Sequence, residues 1–215
     1  ANLNAAYVLI NGDVTVAKDG SLATDTDNKT TVAKTLTLAK GAELTNSGAL
    51  TVGTLVNNTE IANSGSLTIK GVDGATSVNA GTILSDADKN VTVAGNFDNQ
   101  LYVDSSSKKS AANLTADTLT VSKGTFNNAG IVEVSTLTLD EGAVYNTTYL
   151  TEAPTTKTAT TTYTEAETID VNEGAILNIA DLNQASVKDG TNDQLAIVSD
   201  INLNGGVLQV KGAST

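Results

Sequence analysis

Carboxylates are the one chemically versatile group that this chain holds in close pairs. Asp25 and Asp27, Asp86 and Asp88, and Asp189 and Asp193 are near neighbours in sequence. Two carboxyls flanking a glycosidic bond can share the acid and the nucleophile or base roles of sugar hydrolysis. The same oxygens suit calcium, a hard cation that takes carboxylate, carbonyl and amide ligands. Asp25-Thr26-Asp27-Asn28 and Asp189-Gly190-Thr191-Asn192-Asp193 crowd such oxygens onto short segments, which makes Asp25, Asp27, Asp189 and Asp193 the candidate metal ligands. Neither segment has the spacing or the closing Glu of a helix–loop–helix calcium site. A sugar site also needs Arg, His or aromatic partners. The chain has no His, no Trp and only 3% aromatic residues, and its positive charges are all Lys. The reading is therefore a non-enzyme without catalytic residues or a required cofactor, with calcium as the candidate ion.

Other chemistry is excluded by composition. No Cys means no disulfide framework and no thiolate metal site. A net charge of −12 repels nucleic-acid backbones and anionic membrane surfaces. No apolar run approaches the ~18 residues of a membrane helix. Thr35 with Thr37, Thr118 with Thr120, and Thr136 with Thr138 form Thr-x-Thr pairs whose hydroxyls, lined up on a flat face, could meet ice.

The elements that must position these groups are strands. Val14-Thr15-Val16, Leu50-Thr51-Val52, Leu67-Thr68-Ile69, Val91-Thr92-Val93 and Leu137-Thr138-Leu139 each set two apolar residues about one polar residue. That period of two marks a short strand with one buried face. Hydrophobic residues make up 40% of the chain, so the interior must be built from small aliphatics.

The strands recur with their turns. Asn46-Ser47-Gly48-Ala49-Leu50-Thr51-Val52 returns about 17 residues on as Asn63-Ser64-Gly65-Ser66-Leu67-Thr68-Ile69. Looser copies begin at Asn79, with Gly81, and at Asn128, with Gly130. These eight Asn and Gly residues are the expected turn and ladder positions. Stacked Asn at one corner would bond to one another and satisfy buried turn amides. A second motif, strand–polar–polar–Gly–small, appears at Thr35–Ala42, Thr118–Thr125, Thr136–Ala143 and Thr168–Ala175, where Gly supplies a φ > 0 corner. Repeats of this size need stacked neighbours, so the expected fold is an all-β parallel β-solenoid with coils of about 17 residues. A β-sandwich is the alternative, because evenly spaced hairpins also give periodic strands.

The chain reads as a single domain over 1–215 with a Thr-rich insertion at about 147–167, which holds the only Pro, Pro154. Tyr149 and Tyr163 in that insertion, and the apolar run Tyr7, Val8, Leu9 and Ile10, are the candidate assembly contacts. The start at Ala1 fits a removed export signal or a piece of a longer chain.

With its Asn-[Ser/Ala]-Gly turns, Leu-Thr-Val strands and Gly-Ala corners, the chain resembles secreted bacterial β-solenoids of the autotransporter-passenger and filamentous-haemagglutinin-like kind. Its Thr-, Ala- and Asn-rich, Cys-free composition is similar to that of surface-layer proteins. The resemblance implies export to the bacterial cell surface and a structural role, as a filament subunit or an adhesin shaft. Partners would be further copies of the chain or a host-surface ligand. The alternatives are a surface-layer lattice protein, a carbohydrate-active β-helix, and a calcium- or ice-binding module.

Overall fold

The computed structural model of the protein describes residues 2–3, 7–103, 109–147, 162–179, 186–189, 192–195 and 199–210. These residues are strands, turns and bends, with no helix among them. Twenty strands join in one sheet. Six of the parallel strands close into a barrel, and others extend the sheet from it. The antiparallel hairpins of a sandwich do not occur in this sheet, because all of its strand pairings are parallel. Two antiparallel hairpins stand apart from it, Leu101–Val103 with Lys109–Ala111 and Ser186–Asp189 with Asn192–Leu195.

Successive strands fall in turn into three ladders. The first runs through 7–10, 29–32, 49–52, 66–69, 91–93, 118–121, 136–139, 168–171 and 200–203. The second runs through 14–16, 35–38, 54–57, 76–79, 96–99, 124–128, 143–147, 176–179 and 207–210. The third runs through 2–3, 21–24, 43–46, 60–63, 82–85, 113–116, 131–134 and 163–166.

The apolar–polar–apolar triplets explain this arrangement. Alternate residues of a strand face opposite sides, so both apolar members of each triplet turn inward together. Val32, Val52, Ile69, Val93, Val121, Leu139 and Val171 follow one another down the first ladder, each 1% exposed or less. Inward residues of all three ladders meet in a single apolar cluster. In the second ladder Phe97, Phe126 and Tyr145 stack with ring centroids 4.8 and 4.9 Å apart. Those distances match the spacing of hydrogen-bonded strands, so register alone holds the rings face to face.

The step between levels departs from the expected 17. Asn46 and Asn63 are 17 residues apart, but Asn79 and Asn99 are 20 apart, Asn57 and Asn79 are 22, Asn99 and Asn128 are 29, and Asn146 and Asn178 are 32. Extra residues leave the sheet at corners, as the hairpin of Leu101–Val103 and Lys109–Ala111 does between Asn99 and Asn128. The expected insertion is also narrower than 147–167. Thr147 closes the strand Ala143–Thr147, and Tyr163–Asn172 is a strand of the main sheet. Residues 148–161, with Tyr149, lie outside the described residues.

The glycines of the second motif adopt the conformation expected of them, with φ of 82° at Gly41, 81° at Gly124, 78° at Gly142 and 77° at Gly174. Gly41 turns the chain from the second ladder to the third, whereas the other three turn it from the first to the second. One motif thus serves two different corners.

Candidate functional site: buried asparagine ladders

Two columns of buried side-chain amides run along the sheet. In the third ladder Thr24 Oγ1 donates to Asn46 Oδ1 at 2.5 Å, Asn46 Nδ2 to Asn63 Oδ1 at 2.6 Å, and Asn63 Nδ2 to Ser85 Oγ at 2.9 Å. In the second ladder Asn57 donates to Asn79 at 2.8 Å, Asn79 to Asn99 at 2.9 Å, and Asn99 to Asn128 at 2.9 Å. Asn128 closes this column on Thr164 Oγ1 at 3.0 Å, a hydroxyl that also meets Thr147 and Tyr145.

Asn79 shows why asparagine is required. Its Oδ1 accepts from Asn57 Nδ2 and from the Gly81 N–H at 3.3 Å. Its Nδ2 donates to Asn99 Oδ1 and to the Asn113 carbonyl at 3.1 Å. A carboxamide offers two donors and two acceptor sites, and all are used. The turn N–H two residues on and the carbonyl of the next level are thereby paired away from water, where an unmet group would be costly. Asn128 repeats the pattern with the Gly130 N–H and the Tyr163 carbonyl.

The repeat residues therefore divide between two corners. Asn46 and Asn63 share one column, and Asn79 and Asn128 lie in the other, so the step from Asn63 to Asn79 crosses corners and is not a level. Asn57 and Asn99 belong to the second column although no Gly follows them two residues on. The signal that finds them is apolar–x–Asn at a strand end, as in Leu55-x-Asn57, Phe97-x-Asn99, Leu44-x-Asn46, Ile61-x-Asn63 and Phe126-x-Asn128. Gly48, Gly65, Gly81 and Gly130 do not have the left-handed φ of the other corner glycines. They are small because levels touch there. A Cβ on Gly65 would fall on the Gly48 carbonyl oxygen, and one on Gly81 on that of Thr59, both far inside 3.0 Å.

Outward columns run with the opposite polarity. Asn127 donates to Asp98, Asn146 to Asn127, and Asn178 to Asn146, at 2.8, 2.7 and 2.8 Å. Asn172 donates to Asp140 at 3.1 Å, and Asn204 to Asn172 at 3.3 Å. Each starts from an Asp, which only accepts when ionised.

Tyr145 sits at the end of the aromatic stack. Burial pushes its hydroxyl above the ordinary tyrosine value, and the bond with Thr164 offsets part of that.

The acidic pairs are placed apart. Asp25 and Asp27 are exposed in a turn closed by the Asn28 N–H on the Asp25 carbonyl at 3.0 Å. Asp86 and Asp88 lie at the same corner of a later level, with Ser47-Gly48 and Ser64-Gly65 between them and the first pair. Asp189 and Asp193 belong to a separate hairpin, opposite Asn192 and Lys188, and their side chains lie outside the described residues. Among the described residues no three His, Cys, Asp or Glu side chains gather closely enough to hold a metal. Register instead pairs Glu43 with Glu60 and Glu133 with Glu165, carboxylates too far apart in sequence for a local motif to reveal.

Of the expected assembly contacts, Tyr163 is wholly buried and donates to Glu133 at 2.5 Å, which makes it part of the wall and not an arm. Tyr7, Val8, Leu9 and Ile10 form a strand paired, among the described residues, with 29–32, with Tyr7 and Leu9 exposed and Val8 and Ile10 half-buried. Thr118 and Thr120 lie beside Thr136 and Thr138 in the first ladder, whereas Thr35 and Thr37 belong to the second. A longer outward file sits there: Thr31, Thr51, Thr68, Thr92, Thr120 and Thr138 follow one another in register.

No family model, no curated protein and no solved structure matches this chain.

Proposed function

We propose that the protein is a parallel β-solenoid whose three ladders are the faces of successive coils, serving as a non-enzymatic structural module of the bacterial surface. It is exported and acts as a fibre subunit or the shaft of an adhesin, with further copies or a surface ligand as partner. It takes no cofactor, and neither nucleic acid nor the membrane interior is its target. The observation that carries this reading is the pair of buried amide columns. They tie successive levels from 21–24 to 163–166 through side chains as well as backbone. Such coupling makes a rod stiff along its axis, which is what a shaft requires. Nine levels of the first ladder at the ~4.8 Å strand spacing give a body about 40 Å long.

Negative-stain imaging of the purified chain, with reducing-sugar release from polysaccharides measured in parallel, tests the reading. Rods or filaments without sugar release are expected. Release of sugar overturns the non-enzymatic assignment, round particles overturn the rod, and two-dimensional sheets favour a surface lattice. Calcium at millimolar concentration should leave the melting temperature unchanged. A rise abolished by Asp25→Asn with Asp27→Asn would install calcium as a ligand.

A further inference from the structure

We infer that the outward face of the first ladder is a binding surface for ice, a repeating lattice of water in place of a discrete ligand. This goes beyond the shaft reading above and needs only the register of that ladder.

Thr31, Thr51, Thr68, Thr92, Thr120 and Thr138 stand one over the next on this face. Each is partly exposed, and none of the six hydroxyls bonds to another group among the described residues. The outward amides of the second ladder differ, since Asn127, Asn146 and Asn178 bond along their own column. The threonine hydroxyls are uncommitted and face water. A threonine side chain is stiff at χ1, and here its backbone is fixed by pairing with the levels on both sides. Such an array is ordered before any ligand arrives, so little entropy is lost on binding.

A parallel file, two residues back along each strand, carries Ala49, Ser66, Asn90, Thr118 and Thr136. From the 49–52 level to the 136–139 level the two files hold no charged residue. The other ladders differ: the second sets Asp98 outward, and the third sets Glu43, Glu60, Glu133 and Glu165 outward. In a chain of net charge −12, this is a face on which hydroxyls rather than ions order the water.

The spacing fits the lattice in both directions. Ice links water oxygens tetrahedrally at an O–H···O distance of about 2.75 Å, which puts second neighbours about 4.5 Å apart and the stacking repeat at about 7.3 Å. Hydroxyls along the file repeat at the strand spacing of about 4.8 Å, and residues two apart on one strand at about 6.7 Å. Over the steps from Thr51 through Thr68, Thr92 and Thr120 to Thr138 the first mismatch adds up to about 1.2 Å, less than half of one hydrogen bond's length. Thr118, Thr120, Thr136 and Thr138 make the closest match, a block of hydroxyls that spans both repeats. Within it Thr118 also reaches the Asp117 carboxylate, at 3.4 Å.

Partitioning into slowly grown ice, with thermal hysteresis measured in parallel, tests this on the whole chain. Ice grown slowly from dilute solution excludes ordinary solutes, so enrichment of the chain in the ice is expected, with crystal growth arrested just below the melting point. Thr68→Tyr with Thr120→Tyr raises two knobs on the face and should abolish both signals. Thr92→Lys should abolish them as well, because its ammonium keeps a strong hydration shell of its own. Thr45→Tyr with Thr76→Tyr, at exposed positions of the third and second ladders, should leave both unchanged. Tyrosine suits strands, and melting temperatures check that each variant folds. Where one does not, uptake of the unmodified chain into ice decides the matter. Exclusion of the unmodified chain from ice overturns the inference. Equal losses in the face and control variants overturn it too, as does binding to microcrystalline cellulose without uptake into ice. None of these results bears on whether imaging shows rods, so the shaft reading fails or stands separately.

Discussion

Replacing Asn79 with Ala tests the buried amide column at its centre. The change removes four hydrogen bonds at once: from Asn57, from the Gly81 N–H, to Asn99 and to the Asn113 carbonyl. Asn79, Asn57 and Asn99 are each 0% exposed, so water cannot replace what is lost. Two estimates converge. Four net bonds at about 1 kcal/mol each give about 4 kcal/mol. Counted from the groups stranded, the Gly81 N–H and one Asn57 amide hydrogen at about 1–3 kcal/mol each give about 2–6 kcal/mol. The comparison is Asn146→Ala, which breaks two outward bonds at a half-buried site and should cost about 1 kcal/mol or less. Urea unfolding monitored by far-ultraviolet circular dichroism gives both values, provided m is unchanged. The column also demands non-additivity. Once Asn79 is gone, Asn57→Ala should cost less than it does in the intact chain, because their shared bond is already broken. Equal costs for Asn79→Ala and Asn146→Ala, or strict additivity of Asn57→Ala with Asn79→Ala, would refute the argument that the amides act as a connected ladder.

Three further outcomes are expected. Tyr145 should resist alkaline titration: its folded pKa lies above the unfolded value, so the stability it contributes is constant below about pH 10 and falls above it, by about 1.4 kcal/mol per pH unit. Absorbance at 295 nm should show Tyr145 ionising only as the chain unfolds, and a Tyr145→Phe chain should lose that slope. Gly65→Ala should destabilise by more than Gly12→Ala, since a Cβ at Gly65 strikes backbone and one at Gly12 meets nothing within 4 Å; melting temperatures decide it. Phe126→Ala removes the middle ring of the stack and should cost about 3–5 kcal/mol by urea unfolding, while Phe126→Leu should keep most of that.

What could be read from the sequence follows from which forces are local. Alternation along a strand is local, so Leu67-Thr68-Ile69 and Val91-Thr92-Val93 announced their strands and inward faces without any partner in view. The φ > 0 corners at Gly124, Gly142 and Gly174 were equally legible, because a tight turn is decided within four residues. The step was not. Stacking constrains only the residues inside a ladder and leaves each corner free to lengthen, so Asn46 and Asn63 kept a 17-residue step while Asn146 and Asn178 stand 32 apart in register. The Asn-x-Gly motif misled for a physical reason as well: it records a buried amide beside a close backbone approach, and two corners of each level offer that environment. The register pairs with chemical interest, such as Glu43 beside Glu60, are invisible for the same cause, since free corner length erases the spacing that would reveal them. In a stacked fold a motif therefore identifies the corner it can build, and only a pairing partner identifies the level.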